Sequence, residues 1–302
     1  MSVLSLVAVL AFVLGVAIQR GTTCAVLAVE ELMRHRRADR FLGFLECGLW
    51  ATLALRLLGD AGGGPLWSGW IMLLVGAATF GAGAAINSAC AFGTIGRLGN
   101  GRLEYLLTAV GVFAAIRTIT TMGWTVTPSI ASTRDEGPWV GLILLSLTAI
   151  VILRWYLRRR TPRGFATLGI VMMVIGTTGA ALGHLHQPWP WMKALGTLPA
   201  AEPVAAVALA SMVAGAVANG LIQRRFRLSR PPITGLLARF GGGLLMGVGA
   251  SLVPGGNDAL ILQGIPSGSA HAVVGYLTML FAIALTLRLG QGISPPWRKA
   301  SS

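Results

Sequence analysis

The stretch GAGAAINSACAFGTIGRLGNG at residues 81–101 interrupts an apolar segment, and GVGASLVPGGNDALILQGIPS does so at residues 247–267. An offset of 166 residues aligns the two stretches, so that Cys90 in the first corresponds to Gly256 in the second. Backbone that leaves a helix at membrane depth is tolerated only inside protein or beside a water-filled path. The paired interruptions therefore predict a transport path where two halves of a membrane protein meet.

The composition is typical of an integral membrane protein. Hydrophobic residues make up 54% of the 302-residue chain, charged residues make up 11%, and the mean hydropathy is +0.72. This leaves too little polar surface for a soluble globule. We predict an all-α integral membrane protein with about nine transmembrane helices, each near the roughly 20 residues that a bilayer crossing needs. The predicted spans lie at about residues 1–19, 41–58, 68–86, 104–123, 139–157, 163–183, 203–222, 235–252 and 268–290.

The predicted spans repeat across the two halves of the chain. The first four spans overlap the last four at the same 166-residue offset, and the fifth stands alone between them. Because a single connecting helix crosses the membrane between the two four-span halves, the second half enters from the opposite face. We therefore predict a first inverted repeat at residues 1–130, a connecting transmembrane helix in residues 131–162, and a second inverted repeat at residues 163–302, which together form an hourglass-like pore. Chance similarity between glycine-rich spans is the alternative.

Each half also contains two apolar segments that are too short to cross. Ten helical residues reach about 15 Å, which is about half of the hydrocarbon core. We predict four short re-entrant or broken helices at residues 22–34, 89–98, 189–198 and 256–265; the first two could instead be surface turns. Helix N-termini present free amides and a positive dipole end, which favour an anion. The predicted substrate pathway therefore includes Thr23, Cys24, Ser88, Cys90, Gly256 and Asn257.

The net charge of +14 reflects membrane topology rather than nucleic-acid binding. Most Lys and Arg residues are assigned to the loops after spans one, three, five and seven and to the C-terminal tail, including Arg154 and Arg239. By the positive-inside rule, the N-terminus lies outside and the C-terminus lies in the cytoplasm. We expect the lipid bilayer, and no nucleic acid, as a partner.

Several polar residues admit both a functional and a structural interpretation. Asp258 either lines the path or caps a helix, and we expect capping because a carboxylate repels an anion. Arg117 lies inside the fourth span, where a cation is either functional or reaches out to the interface. Three of the histidines, His184, His186 and His271, lack metal-ligand spacing, so no metal and no other cofactor is expected.

The motifs around the interruptions resemble those of the YeeE/YedE family of bacterial membrane proteins, whose characterised members take up thiosulfate. QRGTTC at residues 19–24 is similar to the family's opening motif, which runs from a basic residue to a cysteine. SACAFGT at residues 88–94 and RLGNG at residues 97–101 resemble its Gly-Gly-Cys, Ser-Gly-Thr and Arg-x-Gly-x-Gly run. HQPW at residues 186–189 is similar to its Gly-Arg-Pro-Trp segment, and residues 242–257 resemble a motif that normally ends Gly-Cys-Asn.

The resemblance implies a transporter or channel, not an enzyme, that moves a small sulfur-containing anion such as thiosulfate across the bacterial cytoplasmic membrane into the cell. It implies that pore cysteines contact the substrate through weak S–H donors, and that a sulfur-carrier protein of the TusA type is a partner. Gly256 stands where the family has its third pore cysteine, so Cys24 and Cys90 are the two remaining cysteines that the resemblance places on the substrate path. The alternative is a membrane sulfurtransferase that forms a persulfide on Cys90 and passes sulfur to a cytoplasmic carrier.

Overall fold

A computed structural model describes residues 3–59, 65–66, 69–123, 129–130, 139–157, 162–185, 191–197, 203–229, 231–253 and 255–290. Within these ranges the regular secondary structure is helical, apart from a short antiparallel pairing of Pro65–Leu66 with Ser129–Ile130. The α-helices are α1 (Val3–Gly21), α2 (Ala25–His35), α3 (Asp39–Leu57), α4 (Trp70–Asn87), α5 (Ala91–Gly99), α6 (Leu106–Thr121), α7 (Trp139–Leu157), α8 (Pro162–Leu185), α9 (Trp191–Thr197), α10 (Pro203–Ile222), α11 (Ile233–Leu252), α12 (Gly256–Ala259) and α13 (Ala270–Leu289). A 3₁₀ turn at Leu103–Tyr105 precedes α6, and a π-helical turn at Leu260–Gly264 follows α12.

Seven segments of the described chain are long and apolar enough to cross a membrane. They comprise α1 with α2, α4 with α5, and the single helices α6, α8, α10, α11 and α13. Helix α3 has 19 residues but carries several charges, and α7 contributes only a shorter apolar stretch, Gly141–Tyr156. Each predicted span overlaps one of these long helices, whereas the count of nine crossings stays a prediction.

The short elements occur where the glycine-rich interruptions predict them. Helices α2, α5 and α9 fall within or close to the predicted segments, and α12 with the π-helical turn covers most of the fourth. The alternative that the first two segments are surface turns is wrong, because both are helices that begin with buried residues. A π-helical turn is uncommon and frequently marks a functional site.

The helix packing is reciprocal between the two halves of the chain. Helix α1 packs on α10 as α8 packs on α3, and α6 packs on α11 as α13 packs on α4. Small residues allow these approaches: a Cβ atom at Gly83 of α4 would lie 2.8 Å from the carbonyl oxygen of Gly242 of α11. The connecting helix α7 packs on α3. This reciprocity supports the proposed repeats, while the inverted orientation and the repeat boundaries stay predictions.

Two arginines that the charge pattern assigned to loops are buried within helices, so that part of the sequence interpretation was wrong. Arg154 of α7 forms a buried ion pair with Glu46 of α3. Arg239 of α11 donates a hydrogen bond to the backbone carbonyl of Asn87. Its guanidinium carbon lies 4.6 Å from the centroid of the Tyr105 ring, within the range of a cation–π contact. Both arginines join helices together.

Candidate functional site

The starts of the two short helices of the first half meet inside the protein. Cys24 precedes α2 and Cys90 precedes α5, each in the extended backbone conformation of a helix N-cap. The backbone N–H of Ala25 donates a hydrogen bond to Cys90 Sγ over 3.2 Å. Both thiols are buried, with exposures of 3% for Cys24 and 0% for Cys90. The amide at the start of one helix is therefore directed at the thiol at the start of the other.

Matching backbone turns produce this geometry. Helix α1 ends before Thr22 (φ +49°), and α4 ends before Ser88 (φ +57°). A left-handed residue ends a helix and reverses the chain, at some conformational cost when it is not glycine. The guanidinium of Arg40 holds the first turn by donating to the carbonyl oxygen of Thr22 over 2.8 Å. The side-chain amide of Asn87 holds the second by donating to the carbonyl oxygen of Ala89 over 2.8 Å.

A glycine on α5 makes room for the first thiol. A Cβ atom at Gly93 would lie 2.6 Å from Cys24 Sγ, which is far inside van der Waals contact. Cys24 and Gly93 line a small cavity of about 10 Å³, together with Thr23, Gly96 and Arg97. The cavity thus combines a thiol, a hydroxyl group and one cationic side chain.

The second half contributes an asparagine to the same junction. The backbone N–H of Ala91, at the start of α5, donates to Asn257 Oδ1 over 3.3 Å. Asn257 is fully buried and lines a second, tightly packed cavity with Gly256 and Phe80, which leaves no room for a water molecule. Cys90 and Ala91 therefore lie between residues of the two cavities, in a chain of contacts that runs from Cys24 to Asn257.

Gly256 occupies a place that a side chain would not fit. Its φ of +74° is a conformation that residues with side chains rarely adopt. A Cβ atom there would lie 2.7 Å from Cε2 of Phe80 and 3.2 Å from Sδ of Met192. The ring of Phe80 and the thioether of Met192 thus fill the space beside this position, and the chain carries no thiol at this point.

Several buried polar atoms at these helix starts have no hydrogen-bond partner among the described residues. They are Thr23 Oγ1, Ser88 Oγ, Asn257 Nδ2 and both carboxyl oxygens of Asp258. The backbone amides of Asp258 and Ala259, in the first turn of α12, nevertheless lie close enough to interact with the Asp258 carboxyl, so its role as a helix cap stays a prediction. Buried polar groups in proteins are nearly always paired. The unpaired groups at these helix starts are therefore candidates for contact with a polar ligand.

The other candidates lie apart from this junction or outside the described residues. Arg117 is exposed on α6, away from the two cavities. No cluster of residues that could hold a metal ion occurs in the described part of the chain. The segment at residues 186–189 lies outside the described residues. Tyr276 of α13 is buried and lies near enough to Cys24 and Cys90 to interact with them electrostatically; no sequence motif pointed to it.

Comparison with known proteins adds one finding. A family model described as sulphur transport matches residues 20–137 and 125–285. The matched segments include Cys24, Cys90 and Asn257, and together they cover most of the chain. No curated protein matches the chain.

Proposed function

The chain belongs to the YeeE/YedE sulphur transport family and is a membrane transporter for a sulfur compound, and we propose that its substrate is a small sulfur-containing anion, thiosulfate or a close relative. The anion passes through the bacterial cytoplasmic membrane into the cell. The observation that carries this proposal is the 3.2 Å hydrogen bond between the N–H of Ala25 and Cys90 Sγ, which brings two helix starts and two thiols to one point.

The groups at the junction suit a passing anion that carries sulfur. Helix N-termini offer a positive dipole end, and thiols are soft, weak donors. Conduction requires contacts that attract an ion without trapping it. Weak S–H donors at Cys24 and Cys90 meet that requirement, and the unpaired Thr23, Ser88 and Asn257 groups supply further contacts. We therefore propose a path from the Gly256–Asn257 cavity past Cys90 to the Cys24 cavity.

A larger cavity provides the exit of the proposed path. It has a volume of about 420 Å³, and its lining carries more cationic than anionic side chains, namely Arg20, Arg37, Arg40 and Arg225 against Glu31 and Asp39. Thr22 lines both this cavity and the Cys24 cavity. A cationic surface raises the local concentration of anions. The positive-inside rule places this cavity at the cytoplasmic face, with the N-terminus outside, and a TusA-type sulfur carrier would receive the substrate there.

The proposal is tested by flux into proteoliposomes that are given thiosulfate, sulfite, sulfide or sulfate. Cys90→Ala is expected to lower thiosulfate uptake at least about tenfold, which corresponds to about 1.4 kcal/mol of lost stabilisation. Cys47→Ala is the matched control, because Cys47 is equally buried but lines neither of the two small cavities. Full uptake by the Cys90 variant would contradict the proposed path.

The paired thiols also favour the alternative, a membrane sulfurtransferase. In that reaction the Cys90 thiolate attacks the outer sulfur of thiosulfate, the S–S bond breaks, and sulfite leaves with the bonding electron pair. The persulfide on Cys90 then passes its outer sulfur to a cytoplasmic carrier. Detergent-solubilised protein would release sulfite from thiosulfate in this case, and it is expected to release none if the protein only transports.

A further inference from the structure

A buried carboxyl group at the start of α12 has no counterpart in the first half of the chain. Asp258 is 1% exposed, and neither carboxyl oxygen has a hydrogen-bond partner among the described residues. It follows Asn257, whose side chain lies in the junction between the two short helices. The carboxyl group is thus next to the proposed path without lining either of the two small cavities.

No described side chain compensates a negative charge on Asp258. The groups that interact with its carboxyl are the backbone amides of Asp258, Ala259 and Trp191. The elements around it are α5, α11, the π-helical turn and, through Trp191, α9. The titratable residues at or on these elements are Cys90, Arg97, Arg239 and Lys193. Arg239 is bound to the carbonyl of Asn87, and Arg97 lines the Cys24 cavity.

The repeat offset gives Asp258 a specific place. The offset of 166 residues relates Ala25 to Trp191 and Cys90 to Gly256. In the first half the amide of Ala25 meets the thiol of Cys90, whereas in the second half the amide of Trp191 lies close to the carboxyl of Asp258. By analogy with Cys90, a side chain at residue 256 would face the amide of Trp191. The Asp258 carboxyl lies beside that amide instead.

A lone carboxylate in this position is costly in two ways. Burial of an uncompensated charge is unfavourable, and the charge would repel an anion in the neighbouring path. Protonation removes both costs. Acidic side chains inside membrane proteins commonly serve as proton relays. We propose that Asp258 is a proton-binding site that couples transport of the anion to movement of a proton; this rests on the proposed function.

The coupled cycle conserves charge and atoms. One proton from the outer aqueous side forms an O–H bond with an oxygen of the Asp258 carboxylate. The neutral carboxyl then allows the anion to move past Cys90. Once the anion has left through the Cys24 cavity, the O–H bond breaks, the proton leaves to the inner side, and the carboxylate is restored. No oxidant or reductant takes part.

The test uses full-length protein in proteoliposomes that enclose a pH-sensitive dye. An inward thiosulfate gradient is expected to acidify the interior with wild-type protein. Asp258→Asn, which is permanently neutral, is expected to take up thiosulfate without acidifying the interior, because the anion then passes without a proton. Glu30→Gln is the matched control, because Glu30 pairs with Arg34 on the partly exposed surface of α2.

Infrared spectroscopy supplies a readout that does not depend on transport. The carbonyl band of a protonated carboxyl group is expected at neutral pH in wild-type protein, absent in Asp258→Asn and shifted in Asp258→Glu, which is also expected to keep the dye signal. Thiosulfate uptake by wild type without acidification would overturn the coupling and leave the proposed function standing. A missing carboxyl band would overturn the proton site. If the carboxyl band is present but no thiosulfate flux occurs, the proposed substrate and the coupling are both refuted. Only the protonation of Asp258 would then stand.

Discussion

Gly93→Ala tests whether the position of the Cys24 thiol governs transport. The added methyl carbon would lie 2.6 Å from Cys24 Sγ and 3.1 Å from Cys24 Cβ. Ordinary contacts between such atoms are about 3.5–4.0 Å, so the thiol must retreat by about 1 Å or rotate to another rotamer. Either movement takes it away from its present place in the cavity. Gly96→Ala is the matched control on the same helix, because its nearest neighbour, the carbonyl oxygen of Ile18, would be 3.7 Å away.

The two variants differ in packing but share the same change in helix propensity. Replacing a helical glycine by alanine favours the helix by about 1 kcal/mol, and overpacking costs about 1–3 kcal/mol. Gly96→Ala is therefore expected to be as stable as wild type or slightly more stable. Gly93→Ala is expected to lose up to about 2 kcal/mol in the free energy of unfolding, because the Cys24 side chain must yield. Its larger effect is on function, with thiosulfate uptake reduced about tenfold.

Both variants are measured by thermal unfolding in detergent and by thiosulfate uptake into proteoliposomes at equal protein density. Uptake at the wild-type rate by Gly93→Ala would refute the importance of the Cys24 position. Equal losses in the Gly93 and Gly96 variants would also refute it, since the effect would then come from α5 as a whole. A modest loss of stability with a tenfold loss of uptake, in the Gly93 variant alone, is the result that the contact geometry predicts.

Three further changes test other contacts. Gly256→Ala is expected to lower the free energy of unfolding by about 1–3 kcal/mol, because residue 256 has a φ of +74° and the added Cβ would lie 2.7 Å from Phe80. Adding Phe80→Ala to this variant should relieve part of the loss, as thermal unfolding would show. Glu46→Ala should cost about 3–5 kcal/mol by removing the carboxylate that pairs with the buried Arg154, whereas replacing both by leucine should restore the melting temperature and the yield. Asn257→Ala removes an acceptor from a buried backbone amide of α5 and is expected to lower thiosulfate uptake about tenfold; unchanged uptake would remove this residue from the path.

The glycine pattern and hydropathy predicted most of the helical framework. Apolar runs identified the positions of the long helices, because a bilayer demands continuous apolar surface and internally satisfied backbone. The paired interruptions also identified residues that the structure brings together, namely Cys24, Cys90 and Asn257. Their proximity follows from helix starts that point inward. Their roles in transport remain predictions.

Packing between distant helices lay beyond the sequence patterns. In the sequence, Arg154 and Arg239 cannot be told apart from charges in loops. Only the tertiary structure shows that their partners are Glu46 and the carbonyl of Asn87. Tyr276 lies in an uninterrupted apolar helix, so that its place near the thiols left no local signal. Sequence periodicity reports which residues share a helix face, but it does not identify the partner of that face.

The two halves use one backbone design with different chemistry, and this difference bears on the substrate. The first half places a thiol against a helix-start amide, through Cys90 and Ala25, whereas the second half places a carboxyl there, through Asp258 and Trp191. Phe80 fills the space beside Gly256, so that a third thiol would require a change in both residues. An anion that relied on three successive thiols would lose one contact in this chain. This difference between the halves is consistent with the proposed carrier, in which Asp258 binds a proton and Cys24 and Cys90 provide the selectivity for sulfur.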